Sequence, residues 1–304
     1  GNACEIDSNI HSQTKGEGYM RTVFMRYPEG RAKAVTFSYD DGVVQDKRLA
    51  EIFNKYGIKA TFNFNSQKMK EFNYSKEEIK EYFLSKGHEI AVHGAYHRAN
   101  GNMRPIEGIR DVLDCRIELE ERCDCIIRGM AYPDTGITQM GNFATYEQIR
   151  HYLRELDIAY SRTLGGDNDS FMLPQDFYAW MPTAHHNNSK IMEYVDKFLS
   201  LDISNRVYHA IRTSRLLYIW GHSYEFEREN NWEHIEEICK KIAYNDEIWY
   251  ATNIEICDYV EAYKRLRYSA NGSMVYNPTV LTVWLDVDGK VYKVDPDKTI
   301  RIDG

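Results

Sequence analysis

No apolar run in this 304-residue sequence approaches the roughly 18 residues of a membrane span, so a bilayer-crossing helix is not expected. Basic residues are not in excess either: 38 Lys+Arg against 46 Asp+Glu leave a net charge of −8. A protein that grips a phosphate backbone normally presents a basic face or tail, so nucleic acid is a poor partner. No glycine-rich phosphate loop follows any candidate strand, which argues against a dinucleotide-binding sheet. The six cysteines (Cys4, Cys115, Cys123, Cys125, Cys239 and Cys257) contain no CxxC pair and are too sparse for a disulfide scaffold. Cys115, Cys239 and Cys257 fall in helix-like patterns, where a buried thiol is expected. Cys123-Asp124-Cys125 is close-spaced, but a CxC pair is a weak sign of metal or redox chemistry. No leader is visible upstream of the polar stretch Asn2–Gly18. Cys4 is a candidate lipidation site of a precursor whose leader has been removed.

What the sequence does have is an ordinary globular composition, 43% hydrophobic and 28% charged. Its length allows two domains or one large barrel. Aromatic residues are abundant, with 23 Tyr, 12 Phe and 5 Trp. They fit either a tyrosine-rich core or a cleft that stacks the apolar faces of sugar rings, and composition alone does not choose.

Between residues 31 and 266, β-rich apolar runs alternate with helical patterns. Lys33–Tyr39, Ala60–Asn65, Glu89–His93, Ile126–Tyr132, Ile158–Arg162, Leu216–Trp220 and Ile248–Thr252 read as strands. Helices are expected at Asp46–Tyr56, after the capping boxes Ser75–Glu78 and Thr145–Gln148, and near 105–123, 189–200, 232–245 and 253–268. Repeated βα units predict a parallel sheet, doubly wound or closed into a barrel. Thr282–Val294 alternates around Asp288-Gly289, a strong hairpin signal, so a small β extension closes the chain. The expected organisation is an N-terminal extension (1–30), a barrel (31–268) and a β extension (269–304).

Three features fall at strand ends, where a βα barrel builds its active site. Asp40-Asp41-Gly42 closes the first strand; adjacent carboxylates on extended chain diverge, so one can bind a metal while the other faces a water. Taken alone it reads equally as a turn or helix cap. His93-Gly-Ala-Tyr-His97 follows the third strand, and i, i+4 spacing puts both imidazoles on one face of a helical turn. Two His and one carboxylate leave a coordination position open, as in catalytic sites. Leu217-Tyr-Ile-Trp-Gly-His222 ends in a histidine that can serve as a general acid.

Together, in this order, these motifs resemble the polysaccharide deacetylases of carbohydrate esterase family 4, which share homology with the chitooligosaccharide deacetylase of nodulation-factor synthesis. Val35–Gly42 resembles the family's first motif, Gly87–His97 its second and Leu217–His222 its last. The resemblance implies an irregular (β/α) barrel with fewer than eight repeats. It implies a divalent metal, zinc first, with cobalt, nickel or manganese as alternatives, held by Asp41, His93 and His97. Asp40 is then the base and His222 the acid in removing an N- or O-acetyl group from an oligo- or polysaccharide. Tyr132 and Asp134 fall at the expected oxyanion turn. Asp176–Trp180 falls where the family places an aromatic wall (Trp180) and an Asp partner for the catalytic His; His185-His186, Glu225 and Glu227 read as loop residues. An extracytoplasmic location, secreted, periplasmic or surface-anchored, goes with such a substrate. The third motif departs from the pattern. In Arg128–Gly136, Ala131 stands where the family has the Arg that orients the base, Asp134 stands where it has an aromatic residue, and Arg128 is three residues too early. Two alternatives remain: hydrolysis of a cyclic amide on the same fold, and a sugar-binding module without turnover.

Overall fold

The computed structural model describes residues 21–67, 72–134, 137, 143–203 and 212–302. Cys4, Thr135 and Gly136 therefore lie outside the described residues. The chain divides into two compact units, Arg31–Glu261 and a smaller one combining residues 1–30 with 262–304.

The first strand, Val23–Arg26 (β1), belongs to the smaller unit. The larger unit then runs through parallel strands Lys33–Asp40 (β2), Thr61–Phe64 (β3), Glu89–Val92 (β4), Gly129–Ala131 (β5), Tyr160–Arg162 (β6), Ala184–His185 (β7), Arg215–Gly221 (β8) and Ile248–Tyr250 (β9). Their spatial order is β6-β5-β4-β3-β2-β8-β7, with β9 also on β2. The curled parallel sheet with helices around it is the irregular (β/α) barrel expected. β2 is buried along all eight residues, flanked by β3 and β8. Helices follow the expected signals. Asp46–Lys55 (α1) precedes Lys76–Tyr82 (α2), and Pro105–Cys123 (α3) precedes Tyr146–Glu155 (α4). The capping boxes of Ser75 with Glu78 and Thr145 with Gln148 are both formed. Ile191–Ser200 (α5), Tyr224–Arg228 (α6), Trp232–Ile242 (α7) and Asn253–Lys264 (α8) complete the helices of the described chain.

The smaller unit adds Arg267–Tyr268 (β10), Met274–Tyr276 (β11), Val283–Val287 (β12), Lys290–Val294 (β13) and Thr299–Arg301 (β14), with β1 antiparallel to β12. Two three-stranded sheets result, β1-β12-β13 and β10-β11-β14. Asp288 (φ 50°) and Gly289 (φ 90°) make the tight turn expected of Asp-Gly. The two chain ends, read from sequence as separate extensions, share one sheet because Val23–Arg26 supplies its third strand.

The N-terminal end of the barrel carries a buried acid. Glu89 accepts hydrogen bonds from Thr61 Oγ1 (2.7 Å), Tyr160 Oη (2.8 Å) and the Ile254 N–H (2.9 Å). Gly129 packs so closely against Glu89 and Tyr160 that a Cβ there would collide with both. Burial pushes the Glu89 carboxyl up to about 7, against the pull of those donors. Its pKa is raised, so the folded state holds a proton that the unfolded chain releases. That stabilisation is complete below about 4.5 and is lost as pH rises to about 7. His88 and His186, buried and neutral, act oppositely below about 6.5, so the Glu89 contribution must be read as a difference. Relative to wild type, Glu89→Gln is expected to remove a slope of about 1.4 kcal/mol per pH unit between pH 5 and 7. Urea midpoints across that range check it; parallel curves for the two proteins would rule it out.

Candidate active site

The site lies at the C-terminal ends of β2, β4, β5, β6 and β8. β2 delivers Asp40 into the interior at 3% exposure. The chain then turns through Asp41 (φ 83°) and Gly42 (φ 62°), both left-handed. The Asp41 N–H is fixed on Asn63 O (2.9 Å), and this left-handed turn ends the strand alternation expected to part the two carboxylates: both reach His93 Nε2, Asp41 Oδ1 at 3.4 Å and Asp40 Oδ2 at 3.8 Å. His93 and His97 lie in an irregular loop, and the helical turn expected from their spacing does not form. Gly94 (φ 80°) and His97 (φ 58°) break it, while the Asp111 carboxylate on α3 accepts the N–H groups of Ala95 and Tyr96 (3.2 Å each). The imidazoles still meet, with ring centroids 4.9 Å apart.

The ligating atoms of Asp41, His93 and His97 lie within 4.8 Å of one another. His93 Nε2 is 3.4 Å and His97 Nε2 3.3 Å from Asp41 Oδ1. Each histidine is oriented through its other nitrogen. His93 Nδ1 donates to Ala131 O (2.8 Å), and His97 Nδ1 faces Asp134 Oδ1 at 3.6 Å. His93, so held, offers an Nε2 lone pair inward, and His97 Nε2 faces the same Asp41 oxygen, an arrangement suited to histidines that bind a metal. The donor set of two imidazoles and one carboxylate therefore fits a divalent cation. Three residues of the site, Asp41, His97 and Asp134 (φ 60°), carry left-handed backbone at a non-glycine.

Sequence reasoning left Asp40 without its guanidinium; β6 supplies one. Arg162 Nη2 and Nη1 donate to Asp40 Oδ2 (2.6 Å) and Oδ1 (3.0 Å), and Nη1 also reaches Ser38 Oγ (2.9 Å). Arg162 is 1% exposed and pairs in register with Ala131 on the neighbouring strand. The charge has thus moved one strand sideways from the expected position. Burial alone would raise the Asp40 carboxyl, but Arg162, with His93 and His222, holds it below the usual range. A buried arginine ending an apolar strand was the signal available in the sequence, since such a cation needs a carboxylate partner.

His222 follows β8. Its Nε2 is 3.9 Å from Asp41 Oδ2, and its Nδ1 lies 3.0 Å from Glu225 Oε1, which also accepts the His222 N–H (2.7 Å). Burial lowers the imidazole pKa, but Glu225, Asp40 and Asp41 together raise it above the ordinary value. Glu225, read as a loop carboxylate, is therefore the partner of His222. Asp176 does not reach it: it accepts from Tyr146 Oη and the Tyr178 N–H and pairs with Arg150.

His185, His186 and Glu225 form a second group with metal-ligand proximity. The hydrogen bonds favour a different reading. The Asn187 N–H donates to His185 Nδ1 (3.0 Å), so His185 Nε2 carries the hydrogen and donates to Glu225 Oε1 (3.1 Å). That nitrogen has no lone pair to offer a cation. Gly221 is required here, because any Cβ would strike the His186 ring.

Two expected residues are placed elsewhere. Trp180 is 1% exposed and packs edge-on against Tyr160, Phe177 and Tyr218, so it is a core residue and not a wall of the cleft. Trp220 borders the site instead, 5.7 Å from the His222 ring, with the Arg162 guanidinium 4.6 Å over its face. Tyr132 is buried, its Oη bound to Tyr178 O (2.6 Å), which leaves only its backbone near the site. Of the strand-end tyrosines, Tyr39 is also buried, whereas Tyr96 is 54% exposed and the Tyr224 ring is 5.1 Å from His222.

Comparison with known proteins bears on the fold. Residues 17–159 match the polysaccharide deacetylase family model. No curated protein matches the sequence significantly. A structure from Mycobacterium smegmatis described as a polysaccharide deacetylase is 17% identical, with a TM-score of 0.53 over 81% of this chain and 96% of its own. Puue allantoinase superposes with a TM-score of 0.52 at 12% identity, over 76% and 91%. The chitin deacetylase of Colletotrichum lindemuthianum is 13% identical, with a TM-score of 0.47 over 75% and 87%. Family match, fold and motif order together identify this chain as carrying the hydrolase fold of the polysaccharide deacetylases.

Proposed function

We propose that the protein is a metal-dependent deacetylase that removes N- or O-acetyl groups from a carbohydrate. The observation that carries this reading is a donor set of two histidines and one carboxylate, flanked by a separately held carboxylate, Asp40, and a carboxylate-backed histidine, His222. A divalent cation, zinc first, held by Asp41, His93 and His97 would polarise the acetyl carbonyl and acidify a water. Asp40, kept ionised by Arg162, takes the proton from the attacking water. His222 delivers a proton from Nε2 to the departing amine or alkoxide, with Glu225 fixing its ring. The Asp134 backbone N–H, in the turn after Pro133, is the donor assigned to the oxyanion. Trp220, Tyr96 and Tyr224 supply the aromatic border where a sugar ring can stack. A substrate of this kind goes with an extracytoplasmic location.

Acetate release from a panel of N- and O-acetylated glycans tests the reading, with a cyclic amide alongside. Acetate should appear only from the glycans, stop on chelation and return with added zinc or cobalt. Turnover of the cyclic amide alone would assign the other hydrolase activity. Glycan binding without acetate release would assign a sugar-binding role.

A further inference from the structure

The barrel's five described cysteines differ sharply in setting. Cys115, Cys239 and Cys257 are buried and separate, with burial pushing Cys115 up to about 12. Such thiols do not react. Cys123 and Cys125 are different. Cys123 is the last residue of α3, at 7% exposure, and Cys125 is exposed. Asp124 between them is the left-handed C-cap (φ 52°, ψ 42°), its N–H bound to Glu120 O.

That one residue fixes the distance between its neighbours. The separation of the flanking Cα atoms depends only on the φ and ψ of the residue between them. The Asp124 angles mirror those of an α-helix, and helix dimensions give about 5.4 Å for that separation. Disulfides occur at Cα separations of about 4.4–6.8 Å, so the backbone is already within bonding range. The two thiols are also near enough to act on each other, Cys125 pushing the Cys123 pKa up and Cys123 drawing that of Cys125 down.

We propose that Cys123 and Cys125 form a reversible dithiol–disulfide site that exchanges with low-molecular-weight disulfides. The Cys125 thiolate attacks one sulfur of the small disulfide, forming a mixed disulfide and expelling one small thiolate. Cys123, giving its proton to the expelled small thiolate, attacks Cys125 Sγ, closing the Cys123–Cys125 bond and expelling the second. The protein loses two protons and two electrons, and one small disulfide becomes two thiols. Cys125 is the entry point on two counts. It is the exposed member, and the neighbouring Cys123 thiol draws its pKa down to about 7, which favours the thiolate. The pair lies at the C-terminal end of α3, which leads into the N-terminal end of β5, opposite the catalytic strand ends. Closure is therefore expected to leave deacetylation unchanged.

The test uses the full chain, reduced, desalted and treated natively with oxidised glutathione, then alkylated and mapped by peptide mass. The segment containing both residues should be two hydrogens lighter and carry no alkyl group, and a reductant should reverse this. Cys123→Ser should trap a glutathione adduct on Cys125, and Cys125→Ser should leave Cys123 unmodified at the same exposure. A stable wild-type adduct on Cys125 beside an alkylated Cys123 would overturn the proposal. So would alkylation of both thiols, or a bond from Cys125 to any other cysteine.

Discussion

Replacing Arg162 with Met is expected to destabilise the protein by about 3–5 kcal/mol and to move the acidic limb of its pH–rate profile upward. The substitution strands a carboxylate, because Asp40 is 3% exposed and both its oxygens are bonded to that guanidinium. Asn63 Nδ2 (2.9 Å) would remain as a donor to Oδ1 and is neutral. The sign of the pH effect follows from the arginine's role in holding the Asp40 carboxyl below the usual range. Without it the carboxyl keeps its proton to higher pH, and a base must be ionised to work. Arg162→Lys should recover part of the stability but little of the rate, since an ammonium cannot grip both oxygens. The pair Ala131→Arg with Arg162→Ala returns the charge to the neighbouring strand and should recover activity over either single change. Urea unfolding and kcat/KM against pH measure these effects. An unmoved acidic limb in Arg162→Met would show that Asp40 does not depend on Arg162.

Asp41→Ala should leave the protein folded but unable to retain a divalent metal. Turnover should fall by about a thousandfold, the equivalent of about 4 kcal/mol of lost charge stabilisation. Asp40→Asn should instead keep the metal and lose roughly 10²–10⁴ in kcat, the usual worth of a positioned base. The split between adjacent residues is the informative result. Asp41 Oδ1 lies 3.3–3.4 Å from two imidazole nitrogens, whereas both Asp40 oxygens are bonded to Arg162 and its nearest imidazole nitrogen, His93 Nε2, is 3.8 Å away. Metal content of dialysed protein, measured beside the rate, separates the two roles. Asp40→Asn that loses the metal, or Asp41→Ala that keeps it, would reverse the assignment.

The sequence made the parallel strands, the capping boxes and the order of the three motifs legible, because each rests on short-range patterning. Asp40, Asp41, His93, His97 and His222 were singled out that way, and the fold brings them to one end of the sheet. What escaped depends on which strand lies beside which. Nothing along the chain says that Arg162 sits next to Ala131 or that its side chain ends on Asp40; the parallel register decides both. Glu225 escaped for a more local reason. It partners His222 three residues away through the short helix α6, a turn that no propensity signal marks. The His93–His97 spacing suggested a helical turn, and the strained loop that replaced it reflects Gly94 and the reach of Asp111 from α3. Trp180 was placed at the cleft by analogy of position, and its burial among three aromatic rings puts it in the core.

The sideways displacement of the guanidinium also bears on how related chains should be judged. Neighbouring strands are about 4.8 Å apart, so an arginine side chain rooted on either can reach the same carboxylate. Comparing chains column by column would count Ala131 as a missing part and score this one as decayed. The unit that has to persist is a charge at a point in space, and two different loci in the gene can encode it. A survey of this fold for inactive members should therefore ask whether any strand beside the base carries a cation before it counts an empty column as lost function.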